Sequence, residues 1–404
     1  MTLPANPAAP AAPAPAHTVR PLSAEQLAAD LAVRDLTDPA AGPHALQLVL
    51  DGAVDALTRH WGCPARVHRG ERVVTVADNY DHLNYRADDV TRDTRYTRYV
   101  DDRRMLRSHS SALVPGALRA LAAERPDGGP ESVLLVCPGL VYRRDSIDRL
   151  HTGTPHQLDL WYLTRRPVPA GPDDLTAMIG VLAGALLPGR AYRTEERVHP
   201  YTLAGRQLDV GADGEWVEVA ECGLAHPAVL AAAGLGPEWS GLALGMGLDR
   251  MLMLLKGVPD IRLLRSADPA VAGQLTDLAP YRPVSAQPAV RRDLSIAVDG
   301  SGGDGSGGTD LAEDLGDRVR DALGADADAV ETVEVLSATP CRLLPPQALA
   351  RLGARPDQWN LLVKLVLRDL RRTLTDQDAN DLRDRVYAAL HRGTAHQWAA
   401  SGPR

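Results

Sequence analysis

The chain contains no phenylalanine among its 404 residues. At about 2 % usage roughly eight would be expected, so the gap is not a sampling accident. Lysine is nearly missing too, since only Lys256 and Lys364 stand against 42 arginines. With abundant alanine, glycine and proline, that imbalance points to GC-rich coding, which depresses phenylalanine without reaching zero. Selection or design against the residue is the stronger account. Aromatic surface must then come from tryptophan, tyrosine and histidine, and cationic surface from planar guanidinium groups.

Cysteine is scarce as well. Cys63, Cys137, Cys222 and Cys341 are scattered without CxxC spacing, which argues against a zinc site and a disulfide framework and implies a reducing compartment. No apolar run approaches a membrane span. Met1 to Ala16 is Pro/Ala-rich with no basic start, so it reads as a disordered tail rather than a secretion signal. The net charge of −8 argues against indiscriminate nucleic-acid binding, while local arginine clusters still allow contact with a specific RNA. A chain of this length with 45 % hydrophobic residues suits two or three domains of a cytoplasmic enzyme that binds no membrane.

After a tail at 1–20, Ser23 to Val33 reads as a short helix and His44 to His60 as a longer one that packs on a sheet. Leu46, Val49, Leu50, Ala53, Val54 and Leu57 of the longer one share a face, with Gln47, Asp51, Asp55 and Arg59 opposite. Gly62 and Pro64 end it. Short apolar runs at Leu134 to Cys137, Asp159 to Leu163 and Trp216 to Ala220 then alternate with turns, without a regular βαβ beat. That mixture predicts an α+β domain on an antiparallel sheet over 21–278. Pro280, Pro283 and Pro288 mark a linker at 279–287. Beyond it, over 288–404, Leu294, Ile296 and Val298 predict a strand. A Gly/Ser loop at 300–308 follows, then a helical stripe of Leu311, Leu315, Val319 and Leu323. Val333 and Val335, then Leu361, Val363, Leu365 and Leu367, predict two more strands. Thr375 with Asp378 resembles a capping box for a helix facing inward through Leu382, Val386 and Leu390. A last strand near His396 to Ala399 completes βαββαβ, a ferredoxin-like order.

Three segments carry polar residues in apolar surroundings: MLRSHSSAL from Met105, VYRRDSIDRLHTGTPHQLDLW from Val141, and GLALGMGLDRMLMLLKGVPDIRLL from Gly241. Alone, GxGxDR is weak, since Arg250 could simply pair with Asp249 or Asp260. Together and in this order the segments resemble the motifs of class II aminoacyl-tRNA synthetases, and among them the catalytic chain of phenylalanyl-tRNA synthetase. The Val141 segment resembles motif 2 and the Gly241 segment motif 3. WVEVAECGLAHPAVL from Trp216 is similar to the intervening strand and turn. The C-terminal unit, entered through PVSAQPAVRRDLSIAV at Pro283, resembles the anticodon-binding domain, so the whole resembles the single-chain organellar form.

The resemblance implies ATP and Mg²⁺, an aromatic amino acid and phenylalanine tRNA as partners, and a monomer or homodimer. Its chemistry joins two anions, an amino-acid carboxylate and the α-phosphate of ATP, so planar cationic donors are needed where charge accumulates. By the same resemblance Arg143 holds the α-phosphate and carboxylate, Arg250 brackets adenine and phosphates, and His151 lies near the γ-phosphate. Glu218 binds Mg²⁺, which takes hard oxygen ligands. Ser111, Gln157 and Asp159 match positions that hold the ammonium group, with His109 and His156 nearby. Arg291, Arg292, Arg368, Arg371 and Arg372 are candidate tRNA-phosphate contacts, although Arg-rich strand ends are commonly solvated faces.

The departures fall where the family uses phenylalanine. Pro155 replaces the ring that stacks on adenine. His199 and Tyr201 replace the two rings that grip the substrate side chain, Leu242 and Leu244 replace two more, and small Ala243 between them leaves room for a ring. Asp159 stands where Glu is usual. Two substrates remain open: phenylalanine, met edge-to-face by other flat side chains, or an analogue whose polar substituent the altered pair accepts. So do three functions: a ligase charging tRNA, an activating enzyme of a biosynthetic pathway, and a degenerate paralogue that binds tRNA or amino acid. A phenylalanine-free ligase would be translated faithfully when decoding of that amino acid fails, which suits an auxiliary or resistance role; laboratory design predicts the same composition.

Overall fold

Leu158, Leu160 and Tyr162 alternate with Gln157, Asp159 and Trp161, and a strand must send those two sets to opposite faces. The computed structural model describes residues 20–94, 96–124, 130–144, 146–212, 214–283, 287–299 and 308–396, without the side chains of 308–313. In chain order the strands are β1 (Ala65–Val67), β2 (Val73–Thr75), β3 (Arg104–Leu106), β4 (Ser132–Leu140), β5 (His156–Thr164), β6 (Tyr192–Glu196), β7 (Thr202–Ala212), β8 (Glu215–Ala225) and β9 (Ser240–Gly247). Seven of them form one sheet in the order β1-β4-β5-β9-β8-β7-β6, antiparallel except for the β1–β4 pair. The expected α+β class with a large antiparallel sheet is therefore what the chain forms.

One face of this sheet carries the main core. The helix Ala45–Trp61 buries Leu46, Val49, Leu50, Ala53 and Leu57, as its periodicity predicts, and ends at Gly62 in a left-handed conformation (φ 60°) that suits glycine. It packs with the helices Pro172–Leu186 and Leu248–Lys256 over Leu158, Leu160, Tyr162, Leu242, Leu244 and Met246. The other face is covered at one end by the helix Val114–Ala122, against Trp161, Leu163 and Ala243. Part of that face, along β5, β9 and β8, is open.

A second sheet of β10 (Val290–Asp299), β11 (Val330–Pro340) and β12 (Gln358–Leu367), in the order β10-β12-β11, is antiparallel throughout. Its Leu294, Ile296, Val333, Leu361, Val363 and Leu365 form a separate core with Leu315 and Val319 of the helix Gly308–Leu323 and Leu382, Val386 and Leu390 of the helix Asp376–Leu390. Thr375 and Asp378 do form a capping box. The strand expected at His396 to Ala399 is not seen at His396, and its remaining residues lie outside the described ones, as do most of the tail at 1–20, part of the 279–287 linker and the loop from 300 to 307.

The segment after Arg143 is gripped by this second sheet. Ile147 is buried in its core, the amide of Val333 donates to the Ile147 carbonyl (2.9 Å), and Arg320 donates to the Ser146 carbonyl (2.7 Å). Asp317 pairs with Arg98 and Arg144, each at 3.3 Å.

Candidate active site

The open part of the sheet face is a cleft of about 280 Å³ whose floor is β9. Gly245 and Gly247 face it, and neither glycine is demanded by the fold. A Cβ at Gly245 would only touch Asp159 at 3.6 Å, one at Gly247 would meet nothing within 4 Å, and neither has a positive φ. Missing side chains that the protein does not need leave space for a ligand. Eleven sequence-predicted residues line the cleft: His109, Ser111, Arg143, His151, Pro155, His156, Gln157, Asp159, Tyr201, Glu218 and Arg250. His199 and Ala243 do not.

Arg250 enters from the first turn of the helix Leu248–Lys256, which starts directly after Gly247, so the partial positive charge of that helix end adds to the guanidinium. Its Nη2 donates to His151 Nε2 at 2.7 Å, and the other ring nitrogen meets Asp148 at 2.7 Å. Arg143 is anchored only by Nε to the Ser108 carbonyl (3.1 Å); its terminal nitrogens have no protein hydrogen bond among the described residues.

Gln157 and Asp159 project from β5. Gln157 accepts from the Ser110 amide (3.1 Å), and Asp159 accepts from the Ser110 hydroxyl and from Trp161 Nε1 (3.4 Å). Ser110, absent from the sequence expectation, thus contacts both residues beside its neighbour Ser111. Burial raises the Asp159 carboxyl to about 6, against the lowering effect of Ser110, Ser111, Trp161 and Arg143. A carboxylate short of positive charge suits an incoming ammonium group.

His109 is a donor. Asn79 accepts from the Ser108 amide (3.1 Å) and so directs its NH₂ group to Ser108 Oγ (2.9 Å) and His109 Nε2 (3.3 Å). His109 Nδ1 then carries the proton, and that buried atom has no partner among the described residues. Burial first and the Arg143 charge second push this imidazole down to about 3, keeping it neutral. A neutral N–H beside a guanidinium fits a ligand carboxylate.

His156 differs from expectation. Its ring is wholly buried on the helical side, with Nδ1 on Asp249 (3.0 Å) and Nε2 accepting from the Leu36 amide (3.0 Å) and Arg265 (3.2 Å), so it ties β5 to the helix Leu248–Lys256 and has no nitrogen left for a substrate. Leu242 and Leu244 also face the helical core. Ala243 lies beneath Trp161 and Tyr201, whose centroids are 6.3 Å apart, so the room expected beside it is filled. His199 is buried beside Tyr201 (5.7 Å), hydrogen-bonded to Thr202 at 3.2 Å.

Tyr85, Arg197, Glu221 and Asp249 belong to the cleft without having been expected. Glu221 is the instructive one. Residues three apart on a regular strand face opposite ways, yet Glu218 and Glu221 share the cleft. The β7–β8 register slips between Leu208/Ala220 and Asp209/Glu218, leaving Val219 as an extra residue. That bulge restores both carboxylates to one face. Burial, then the adjacent Glu221, raises the Glu218 carboxyl against Arg250, Arg197 and Arg143. A cation would relieve it. No group of three or more His, Cys, Asp or Glu gathers to hold a metal among the described residues, but Mg²⁺ shared with a triphosphate needs only one or two protein carboxylates, which Glu218 fits.

The five candidate tRNA contacts divide. Arg292 bonds Asn380 (2.9 Å) and Asp376 (2.8 Å), Arg368 bonds Glu331 and the Gln287 carbonyl, and Arg372 bonds Asp378 (2.7 Å). Arg291 and Arg371 are exposed, with no side-chain bond to a described residue.

No helix among the described residues is long and apolar enough to cross a membrane. Comparison with known proteins matches residues 37–275 to the family described as tRNA synthetases class II core domain (F). The chain is 34 % identical over 242 residues to the phenylalanine–tRNA ligase alpha subunit of Prochlorococcus marinus (strain MIT 9313), covering 58 % of this chain and 68 % of that one. It is 31 % identical over 248 residues to the subunit of the same name from Nostoc punctiforme, covering 61 % and 70 %. A solved pyrrolysyl tRNA synthetase from Desulfitobacterium hafniense is similar at 18 % identity and a TM-score of 0.40, over 55 % of this chain and 73 % of that one.

Proposed function

Because the chain belongs to the class II core family of tRNA synthetases, we propose that it uses ATP to activate phenylalanine or a close aromatic analogue and transfers it to phenylalanine tRNA. The observation that carries this reading is the meeting of Arg143, Glu218 and Arg250 with Ser111, Gln157 and Asp159 in one cleft. The amino-acid carboxylate attacks the α-phosphorus, the bond to the β-phosphate oxygen breaks, and pyrophosphate leaves. Arg143 and the His109 N–H neutralise the two oxygens that are forced together. Arg250, oriented with His151, holds the phosphates. Mg²⁺ at Glu218 would screen the triphosphate. Asp159, Gln157 and the serines keep the ammonium group away from the reacting carboxylate, and no side chain serves as a covalent nucleophile.

The domain division follows the same reading: a catalytic unit at 21–278, a linker at 279–287, and at 288–404 a ferredoxin-like anticodon-binding unit, in a cytoplasmic single-chain ligase. The separate core of the second sheet supports it. Arg291 and Arg371 are the better candidates for RNA phosphates, being exposed and making no side-chain bond to a described residue. The lack of phenylalanine even along the cleft wall, where Tyr85, His109 and Tyr201 supply the rings, supports an auxiliary or resistance role.

Pro155, which lines the cleft where a stacking ring would grip adenine, favours the reading as a degenerate paralogue. ATP–pyrophosphate exchange over a panel of aromatic amino acids, followed by charging of phenylalanine tRNA, decides. Exchange and charging are expected; exchange without charging indicates a biosynthetic activating enzyme, and no exchange a binding paralogue.

A further inference from the structure

Three strands align one row of positions across the middle of the cleft. Asp159 on β5 is opposite Gly245 on β9, and Gly245 is opposite Glu221 on β8. Positions in register share a face, so two carboxylates look at each other across a residue with no side chain, from strands roughly 10 Å apart. An amino acid whose ammonium group rests on Asp159 lies across β9. The next row, Trp161, Ala243 and Gly223, is closed by the Tyr201 ring against Trp161. Blocked there, the ligand's side chain runs along the row towards Glu221.

Glu221 is held from behind. His199 Nε2 lies 3.1 Å from its Oε2 and Arg197 Nε 3.4 Å from its Oε1. The histidine contact is close but poorly aligned, and among the described residues Nε2 makes no well-formed hydrogen bond, on a side chain only 8 % exposed. An unpartnered buried polar nitrogen costs about 1–3 kcal/mol, which a small turn of the Glu221 carboxylate towards His199 recovers. Glu221 offers an acceptor and His199 Nε2 an unmatched nitrogen beside it. A ring hydroxyl donates its one proton to the cleft-facing carboxylate and leaves nothing unmatched; an aromatic amine brings a second N–H that finds no partner there, and a plain phenyl ring donates nothing.

We infer that Glu221 determines specificity for an aromatic amino acid carrying a hydroxyl on its ring, with His199 as the residue that positions its carboxylate. The inference rests on the reading of this cleft as an amino-acid-activating centre. Phenylalanine is then the poorer substrate, since it buries the pair with nothing to bond.

The test is ATP–pyrophosphate exchange by the full chain with phenylalanine, its ortho-, meta- and para-hydroxylated forms, and the para-amino analogue. One hydroxylated form should exceed phenylalanine by at least about 100-fold in kcat/KM. Glu221→Ala should reduce that ratio to within about tenfold, and His199→Phe should lower it too; the ratio between substrates is a readout that a merely structural loss does not move. Equilibrium binding of the same panel to the unaltered protein reads the preference without any variant. Phenylalanine equal or preferred, the amine preferred over every hydroxylated form, or a ratio unmoved by Glu221→Ala would each overturn the inference while leaving the ligase reading intact. Exchange with no member of the panel overturns both.

Discussion

Arg250 fixes the tautomer of His151. A guanidinium only donates, so His151 Nε2, 2.7 Å from Arg250 Nη2, must accept, and Nδ1 carries the proton towards Asp148. The three residues form one directed chain, Asp148 to His151 to Arg250, that sets the angle of the guanidinium over the cleft. His151→Ala is expected to raise the KM for ATP about tenfold, the loss of one hydrogen bond to a charged group. Initial rates at varied ATP check it; an unchanged KM would show that the helix alone orients Arg250.

Among the described residues the Arg143 side chain bonds the protein through Nε alone. Arg143→Lys keeps the charge and loses the planar fork, so kcat for exchange should fall about 100- to 1,000-fold with little change in melting temperature. A loss of less than tenfold would mean that point charge suffices there.

Asp159 supplies a pH signature. Its folded-state value of about 6 lies above the ordinary 3.8, so the folded protein holds this proton more tightly than the unfolded chain. The stabilisation is full below about 3.8 and is lost as pH rises through about 6. Ammonium binding needs the ionised form, so the amino-acid KM should rise as pH falls through about 6. Asp159→Asn should remove that dependence, weaken amino-acid binding, and stabilise the protein at pH 8 by roughly 1–3 kcal/mol. Thermal melts and exchange rates across pH 5–8 measure both.

Gly245 has a different role from a structural glycine. Gly245→Ala should leave the melting temperature within about 2 °C, since its Cβ meets only Asp159 at 3.6 Å, and should raise the amino-acid KM at least about tenfold by occupying the floor between Asp159 and Glu221. Unaltered kinetics would place the substrate elsewhere.

Ile147 couples the two sheets, being buried in the second core four residues from both Arg143 and His151. Ile147→Ala should cost about 2–5 kcal/mol at that contact and lower kcat as well, by loosening the segment between those residues. Hydrogen exchange at the Val333 amide, which bonds the Ile147 carbonyl, should quicken in step with the loss of rate.

Whereas Arg143, Asp159, Glu218 and Arg250 were singled out by the family resemblance of their motifs, the helix Ala45–Trp61, the strand alternation of β10 and β12 and the capping box at Thr375 were legible from residue order. Each depends on neighbours within a few positions, which periodicity and side-chain chemistry report directly. Glu221 and Tyr85 were not, nor was the engagement of His156. A strand period of two puts Glu218 and Glu221 on opposite faces unless the slip at Val219 is known, and that slip exists only in the pairing of β8 with β7.

Residue order thus determined the local elements, motif resemblance pointed to candidate residues for a nucleotide and an amino acid, and the missing phenylalanines left only tyrosine, tryptophan and histidine as rings. Which nitrogen of His109 is free, why Ala243 offers no room and why Glu221 faces Asp159 were decided by contacts between distant segments. Those properties arise from strand register and burial, and neither exists until the chain has closed on itself.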